Sequence, residues 1–295
     1  MPKIGFIGLG IMGAPMACNL ADAGFDVVGF NRSRPRSDAF EQHGVKLVAS
    51  ALEAAAGADV VATMLPDSPD VQAVLGELLR ATRPGTLFID FSTIRPDVAA
   101  ALHQEAHDLG LGLVDAPVSG GEQGAIDGSL SIMVGGVDAD YERAQPVLAA
   151  VGKTIVHVGP PGAGQTVKAA NQLIVAGTLQ LVSEAIVFLE ANGADLEAAL
   201  EVLGGGLAGS AILERKSAGM LKRQFDPGFR LELHHKDLGI FMSSARDLRV
   251  ATPMGAVAAQ LVASMVARGH GGLDHSGLLM LVDELSGRPK ARQSE

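Results

Sequence analysis

The stretch from Lys3 to Gly13, KIGFIGLGIMG, constrains the fold more than any other part of the chain. Its apolar start, bounded by glycine, predicts a short buried strand from Lys3 to Gly8. An Ala-rich helical pattern follows the glycines and ends near Gly24, a residue suited to a helix C-terminus. Between strand and helix the spacing G-x-G-x-x-G acquires a mechanism. Gly8 permits the tight turn, Gly10 lets backbone come close to a pyrophosphate, and Gly13 lets helix and strand pack closely. The backbone from Gly8 through Leu9, Gly10, Ile11 and Met12 to Gly13 then presents a helix N-terminus to negative charge. Without the flanking strand and helix the same glycines would be only a turn.

A second strand, Asp26 to Phe30, ends in Asn31-Arg32-Ser33-Arg34-Pro35-Arg36. A site selective for NAD would carry Asp or Glu at the strand tip to hold the ribose 2'-hydroxyl, whereas this chain has Asn31 and a cationic cluster. Those residues suit a 2'-phosphate, with Arg32 and Ser33 as the nearest ligands; the alternative is a solvated loop. The pattern continues with a strand at 45–48, a helix near Leu52, and a strand at 59–64 that closes on Met64-Leu65-Pro66. A helix from about Asp70 to Leu79, a strand at 86–90 and the turn Phe91-Ser92-Thr93 come next, then a helix with Pro96 in its first turn. Strand and helix alternating in this way imply a mostly parallel, doubly wound sheet of Rossmann type. Ligands of such sheets lie beyond the carboxyl ends of the strands, which points Met64, Leu65, Pro66 and Thr93 at the cofactor.

The strand 111–116 runs into Pro117-Val118-Ser119-Gly120-Gly121. One hydroxyl and two glycines at a strand end can offer several donors to an oxygen-rich ligand such as a carboxylate; a surface turn is the plainer reading. Two further strands, 130–134 and 154–158, flank a helix from Tyr141 to Val151. Gly159-Pro160-Pro161-Gly162-Ala163-Gly164 is the clearest break in the chain, and no convincing strand follows it. We therefore expect an NADP-binding Rossmann-type domain over 1–162 and an all-α domain for substrate and dimerisation over 163–295, joined by a long interdomain helix. The expected helices of the second domain cover 165–192, 195–203, a piece after Ser210, 233–247, 253–268 and 274–285, with a frayed tail from Gly287 to Glu295.

The first of these helices carries an unusual charge. After Lys168 no charged residue appears until Glu184, so a single ammonium stands near the start of an apolar segment, with Asn171 and Gln172 about one turn on. Such a helix belongs in a core or between domains. Its lysine is either a group snorkelling to water or a working group whose charged form burial disfavours. Asn171, Gln172, Thr178, Gln180 and Ser183 interrupt an apolar run that is short for a bilayer, which argues against a membrane span.

Composition closes off other classes. The formal net charge of -10 disfavours nucleic acid as a partner, and an aromatic content of 4% without Trp leaves no stacking platform for single strands. One cysteine, Cys18, forms neither an internal disulfide nor a zinc site, and with Met1-Pro2-Lys3 opening directly into the apolar run no signal peptide is expected. A reducing, cytoplasmic setting is the simplest expectation. His234 and His235 are neighbours beside Lys236 and face different directions on a helix, so no metal site is expected. His270 and His275 read as loop and cap residues, and Asp237 as either orienting Lys236 or solvated.

Several stretches in order, GFIGLGIMGAPMACNL, DAPVSGGEQGAIDGSLSIMVGG, GAGQTVKAANQ and LHHKDL, resemble the β-hydroxyacid dehydrogenase family, which contains 3-hydroxyisobutyrate dehydrogenase. The resemblance spans nearly the whole chain. Within the family, GGLAGS, DPGFRLELHHKDL and GLDHSGLL are most similar to the tartronate semialdehyde reductases. The resemblance implies a reductase of a small carboxylated aldehyde, or dehydrogenase of the matching hydroxy acid, preferring NADP(H) with NAD(H) as the second cofactor. By it Lys168 corresponds to the catalytic lysine, and Ser119, Gly120 and Gly121 to the substrate-carboxylate loop. Asn171 corresponds to the assisting amide, with Gln172 next to it, and Lys236 to the lysine that closes on the cofactor. It also implies a homo-oligomer, dimer or tetramer, acting on 3-hydroxyisobutyrate, methylmalonate semialdehyde, succinic semialdehyde or glyoxylate if not on tartronate semialdehyde. A non-catalytic NADP-binding sensor and an imine reductase are the remaining readings; a lysine at position 168 suits carbonyl chemistry better than imine chemistry.

Overall fold

The computed structural model describes residues 2–33 and 37–289, so Arg34, Pro35 and Arg36 of the cationic cluster, and the end of the tail, lie outside the described residues. Two compact units divide the chain, the first ending at Lys168 and the second beginning at Ala169.

In the first unit β1 (Lys3–Ile7), α1 (Gly13–Asp22), β2 (Asp26–Phe30), α2 (Ser37–Gln42) and β3 (Lys46–Leu47) are followed by α3 (Ala51–Ala55), β4 (Val60–Thr63), α4 (Ser68–Ala81), β5 (Leu87–Asp90) and α5 (Pro96–Asp108). Then come β6 (Gly112–Asp115), β7 (Val118–Ser119), α6 (Gly121–Ile126), β8 (Leu130–Gly135), α7 (Asp138–Val151) and β9 (Gly152–Gly159). The sheet order begins β3-β2-β1-β4-β5-β6, all parallel, and β8 extends it antiparallel to β6. This is the doubly wound order of dinucleotide-binding sheets. Short apolar strands with residues buried on both faces require helices on both sides. Alternation delivers them: Ile4, Phe6, Val60, Ala62, Leu87 and Ile89 pack with α1 and α7, while Ile7, Val61 and Phe88 pack with α3, α4 and α5.

Register gives the sheet a common upper edge. Ile7 pairs with Phe30 and with Thr63, Thr63 with Asp90, and Asp90 with Asp115, so five strands end on one row. Each crossover therefore starts from the same level, and the loops that follow gather beyond that row.

Around Ser119 the alternative of a plain surface turn does not hold. Val118–Ser119 is a short strand antiparallel to β8, and Gly121 starts a helix. The cause is the pair Gly120 (φ 145) and Gly121 (φ 66), which bends the chain through angles that residues with a side chain rarely adopt.

A long helix, α8 (Ala163–Ala191), begins in the first unit and continues into the second, which adds α9 (Leu196–Gly205), α10 (Ala211–Leu221), α11 (Leu231–Asp247), α12 (Pro253–Met265) and α13 (Leu278–Leu285). Ser210 and Asp195 cap α10 and α9 by accepting from Leu213 N–H and Ala198 N–H, as small polar residues at N-caps do. The helix expected to run on to residue 268 ends at Met265 and passes through a π-helical turn, Val266–His270, where Gly269 leaves helical angles. Among the described residues, the isolated bridge between Arg230 and Asp274 is the β-pairing of this unit. At 29 residues α8 is long enough to cross a bilayer, so the length argument from sequence does not hold. Its Ala176, Leu179, Ser183 and Ile186 are fully buried in the protein, and Ala176, Leu179 and Ile186 pack in two apolar clusters of the second unit.

Candidate active site

Beyond the row of strand ends, the glycine turn is fixed by its neighbours. Gly8 donates to Phe30 O at 2.9 Å and Leu9 N–H to Asn31 Oδ1 at 3.0 Å. Asn31 Nδ2 donates to Ser33 O at 2.7 Å. A Cβ at Gly8 would overlap the Met64 carbonyl oxygen, and one at Gly13 the Gly8 carbonyl oxygen. At Gly10 a Cβ would meet nothing within 4 Å. Gly8 and Gly13 are therefore demanded by packing, while Gly10 faces open space at a helix start whose N-cap, Met12, makes no side-chain capping bond. A helix start without a side-chain cap and an open approach fit a pyrophosphate. The residues present thus suit a dinucleotide, with Leu9, Ile11 and Met12 completing the turn.

Asn31 stands where an acidic residue would mark an NAD site, but its carboxamide is engaged within the protein, binding β2 to the glycine turn. Arg32 is 90% exposed on its side chain and lies 3.8 Å from Asp70, a contact too long and too solvated to restrain it. Ser33 is exposed as well. On the next strands, Leu65 N–H donates to Ser92 Oγ at 2.8 Å, tying the Met64-Leu65-Pro66 loop to the loop that carries Thr93. Met64, Leu65 and Thr93 are partly exposed at this edge. Gly121 has no atom within 4 Å of where a Cβ would lie, so the backbone is openly approached there, whereas a Cβ at Gly120 would crowd the Leu130 side chain.

Under these loops lies a polar group that the sequence reading missed. Asp90 Oδ1 accepts from Thr63 Oγ1 at 2.7 Å and from Ser92 through Oγ at 2.5 Å and N–H at 3.1 Å. Its Oδ2 is buried without a hydrogen-bond partner. Burial, with a smaller push from the charge of Asp115, raises the Asp90 carboxyl to about 6 against the lowering by Ser92 and Thr63. Asp115 accepts from Gly162 N–H at 2.7 Å and Gln165 N–H at 2.9 Å, capping the start of α8. Burial raises this carboxyl too, opposed by the two backbone donors. The available signal was an acid closing each of two otherwise apolar strands, LFID and GLVD. Three residues after Gln165 comes Lys168, 6% exposed.

In the second unit α8 and α11 share a further network. Asn171 Nδ2 donates to Gln172 Oε1 at 2.8 Å, and Gln172 Nε2 donates to Asp237 Oδ2 at 2.5 Å. Lys236 Nζ lies 3.1 Å from Asp237 Oδ1. Asp237 is 3% exposed, which removes the solvated alternative. His234 is fully buried, with Nε2 at 3.0 Å from Gln172 O and Nδ1 at 3.2 Å from His275 Nδ1. His275, read with His270 as loop and cap residues, stands at the start of the short helix that Asp274 caps and is a buried partner of His234. Among the described residues no group of three or more His, Cys, Asp or Glu is placed to hold a metal ion.

Residues 3–159 match the model of the NAD-binding domain of 6-phosphogluconate dehydrogenase, and residues 162–282 match that of the NAD-binding domain of NADP-dependent 3-hydroxyisobutyrate dehydrogenase. The chain is 42% identical to 2-hydroxy-3-oxopropionate reductase of Escherichia coli, over 95% of this chain and 97% of that protein. It is 37% identical to the NAD-dependent L-serine dehydrogenase of Pseudomonas aeruginosa, over 98% of this chain and all of that one. A solved structure of Mycobacterium tuberculosis 3-hydroxyisobutyrate dehydrogenase with L-serine superposes with a TM-score of 0.87 at 37% identity, covering 96% of this chain and 99% of that chain.

Proposed function

The chain belongs to the 3-hydroxyisobutyrate dehydrogenase family of β-hydroxyacid dehydrogenases, and from that premise we propose that it reduces tartronate semialdehyde to D-glycerate with NADP(H), Lys168 serving as general acid and base. Its class is that of an NAD(P)-binding oxidoreductase acting on CH–OH groups. The substrate assignment is supported by the 42% identity to the E. coli reductase. The preference for NADP(H) over NAD(H) is supported by the missing acid at Asn31 and by an exposed Arg32 free to meet a 2'-phosphate.

One observation carries the mechanism: Lys168 is a nearly buried ammonium in the same unit as the glycine turn and the Ser119 loop. When bound, a reduced nicotinamide supplies the hydride. Ser119, Gly120 and Gly121 hold the substrate carboxylate with hydroxyl and backbone donors. Lys168 then gives its proton to the alkoxide oxygen that develops on the substrate, and in the reverse direction the neutral amine accepts the hydroxyl proton. Asn171 orients the same oxygen, braced by Gln172, whose amide is engaged by Asn171 and Asp237. Lys236, set by Asp237, closes on the cofactor. The glycine turn, Arg32 with Ser33, the Met64–Pro66 loop and Thr93 bind the cofactor.

A second reading, oxidation of L-serine or 3-hydroxyisobutyrate, is favoured by the 37% identity to enzymes named for those activities. A panel of tartronate, methylmalonate and succinic semialdehydes, glyoxylate, L-serine and 3-hydroxyisobutyrate, run with both cofactors and compared by kcat/KM, separates the two. We expect tartronate semialdehyde with NADPH to lead and Arg32→Ala to lower kcat/KM for NADPH but not NADH. No turnover with any member would favour the sensor. Assembly into a dimer or tetramer in a cytoplasmic setting belongs to the same proposal. It is supported by Ile174, Leu181 and Phe188, exposed at seven-residue spacing along α8, and by a free Cys18.

A further inference from the structure

Lys168 owes its position to the first turn of α8, and that turn is held by side chains outside the proposed machinery. Asp115 accepts from Gly162 N–H and Gln165 N–H with its two carboxylate oxygens. A Cβ at Gly164 would come within 2.8 Å of Asp115 O and Oδ2, so the turn is seated directly on β6. Gln165 is 1% exposed and uses both ends of its carboxamide on the loop that carries Thr93. Its Oε1 accepts from Ile94 N–H at 3.0 Å and its Nε2 donates to Ser92 O at 2.8 Å. Ser92 in turn accepts from Leu65 N–H and donates to Asp90. One buried amide thus fixes the helix bearing Lys168 against the two loops expected to face the cofactor, and all of these groups lie within the first unit.

We propose that Gln165 is a positioning residue for Lys168, locking the 92–94 loop to the first turn of α8 so that the ammonium is held in reach of the reacting oxygen. Asp115 does the same work on the backbone side of that turn. An α-helix advances about 1.5 Å per residue, so Lys168 sits less than one turn beyond Gln165, and a shift of that turn reaches the ammonium undiminished. A misplacement of about 1 Å at a catalytic group can lower turnover by about 10²-fold. The inference rests on Lys168 being the general acid, and the test keeps the two apart.

The test is a double-mutant cycle of Gln165→Leu and Lys168→Ala in the full chain, with turnover of the best aldehyde from the panel, NADPH affinity by fluorescence and the unfolding midpoint measured for each variant. We expect Gln165→Leu to lower kcat about 10- to 100-fold with NADPH affinity kept within about threefold. In the Lys168→Ala background the same change should cost less than about twofold, because a residue acting only through Lys168 has nothing left to position. Loss of turnover in Lys168→Ala with near-normal kcat in Gln165→Leu overturns the inference and leaves the lysine's role intact. An undiminished Gln165→Leu effect in the Lys168→Ala background also overturns it, assigning Gln165 an independent or merely structural part. Full turnover in Lys168→Ala overturns the lysine's role and the inference with it. Should Gln165→Leu not fold, Gln165→Glu replaces it: the acceptor for Ile94 N–H stays, an anion faces Ser92 O, and normal turnover would overturn the inference equally.

Discussion

The two units bury acids under opposite regimes. In the first, Asp90 and Asp115 are buried with neutral donors: hydroxyls and backbone N–H groups hold them, and burial raises both carboxyls. In the second, buried acids meet cations. Arg223, 3% exposed on its side chain, pairs with Glu190 at 2.8 Å and Asp283 at 3.1 Å. Asp274 pairs with Lys216 at 2.8 Å. Burial alone would raise the Asp274 carboxyl, but the charges of His275 and Lys216, with bonds from Lys216 and Ser276, bring it down to about 2. The difference separates two uses of a buried charge. Compensated acids fasten helices together; uncompensated ones hold the loops and helix start around which the proposed site is built, and leave a cost in stability where function needs position.

The largest expected effect breaks the compensated side. Arg223 sits at φ 53, a left-handed conformation costing about 1–2 kcal/mol in a residue with a side chain, and its ion pairs hold it there. Replacing it by Met strands two buried carboxylates, and urea denaturation should show a loss of about 3–5 kcal/mol. A loss under about 1 kcal/mol would remove the contrast.

Asp90 sharpens the other side through pH. Its folded carboxyl, at about 6, lies above the ordinary 3.8, so the folded state binds the proton more tightly. Its stability contribution is therefore whole below about pH 4 and declines as pH rises to about 6, by about 3 kcal/mol. Asp90→Asn cannot ionise, so its stability relative to the parent should improve by about 2 kcal/mol between pH 4.5 and 7.5, the rest of the change falling below pH 4.5. A flat difference would mean that Asp90 is compensated after all.

Asp274 predicts the reverse sign. With the folded carboxyl lowered to about 2, its contribution is present above about pH 4 and lost as pH falls through 2, about 2 kcal/mol in all. Lys216→Met removes one part of that lowering, the charge of His275 and the bond from Ser276 remaining, so it should cost less than about 2 kcal/mol at pH 7, and the cost should shrink as the pH approaches 3. A pH-independent cost would assign Lys216 a packing role.

Much of this fold is legible because glycine and apolar runs report backbone demands that are local. Lys3–Ile7, Asp26–Phe30 and the helix from Pro96 lie within a residue of where their patterns place them. The candidate residues Gly8 to Gly13, Asn31, Met64 to Pro66 and Thr93 collect at one edge because the strands before them end in register, a consequence of the parallel order the alternation implied. What stayed hidden depends on contacts distant in sequence. Gln165 looked like one polar residue at a helix start, yet its partners are 71 and 73 residues away. Asp90 and Asp115 looked like strand ends, and His275 like a loop or cap residue, since nothing local reports that a partner buries them. Asn171 and Gln172 were indistinguishable by spacing, and the bond from Gln172 to Asp237, 65 residues on, has no local signal.

The central claim is that Lys168 moves the proton, and Lys168→Ala assayed with NADPH and the leading semialdehyde tests it most directly. The account predicts that kcat falls by about 10²–10⁴-fold while NADPH affinity and the unfolding midpoint stay near those of the parent. Turnover close to that of the parent would contradict it.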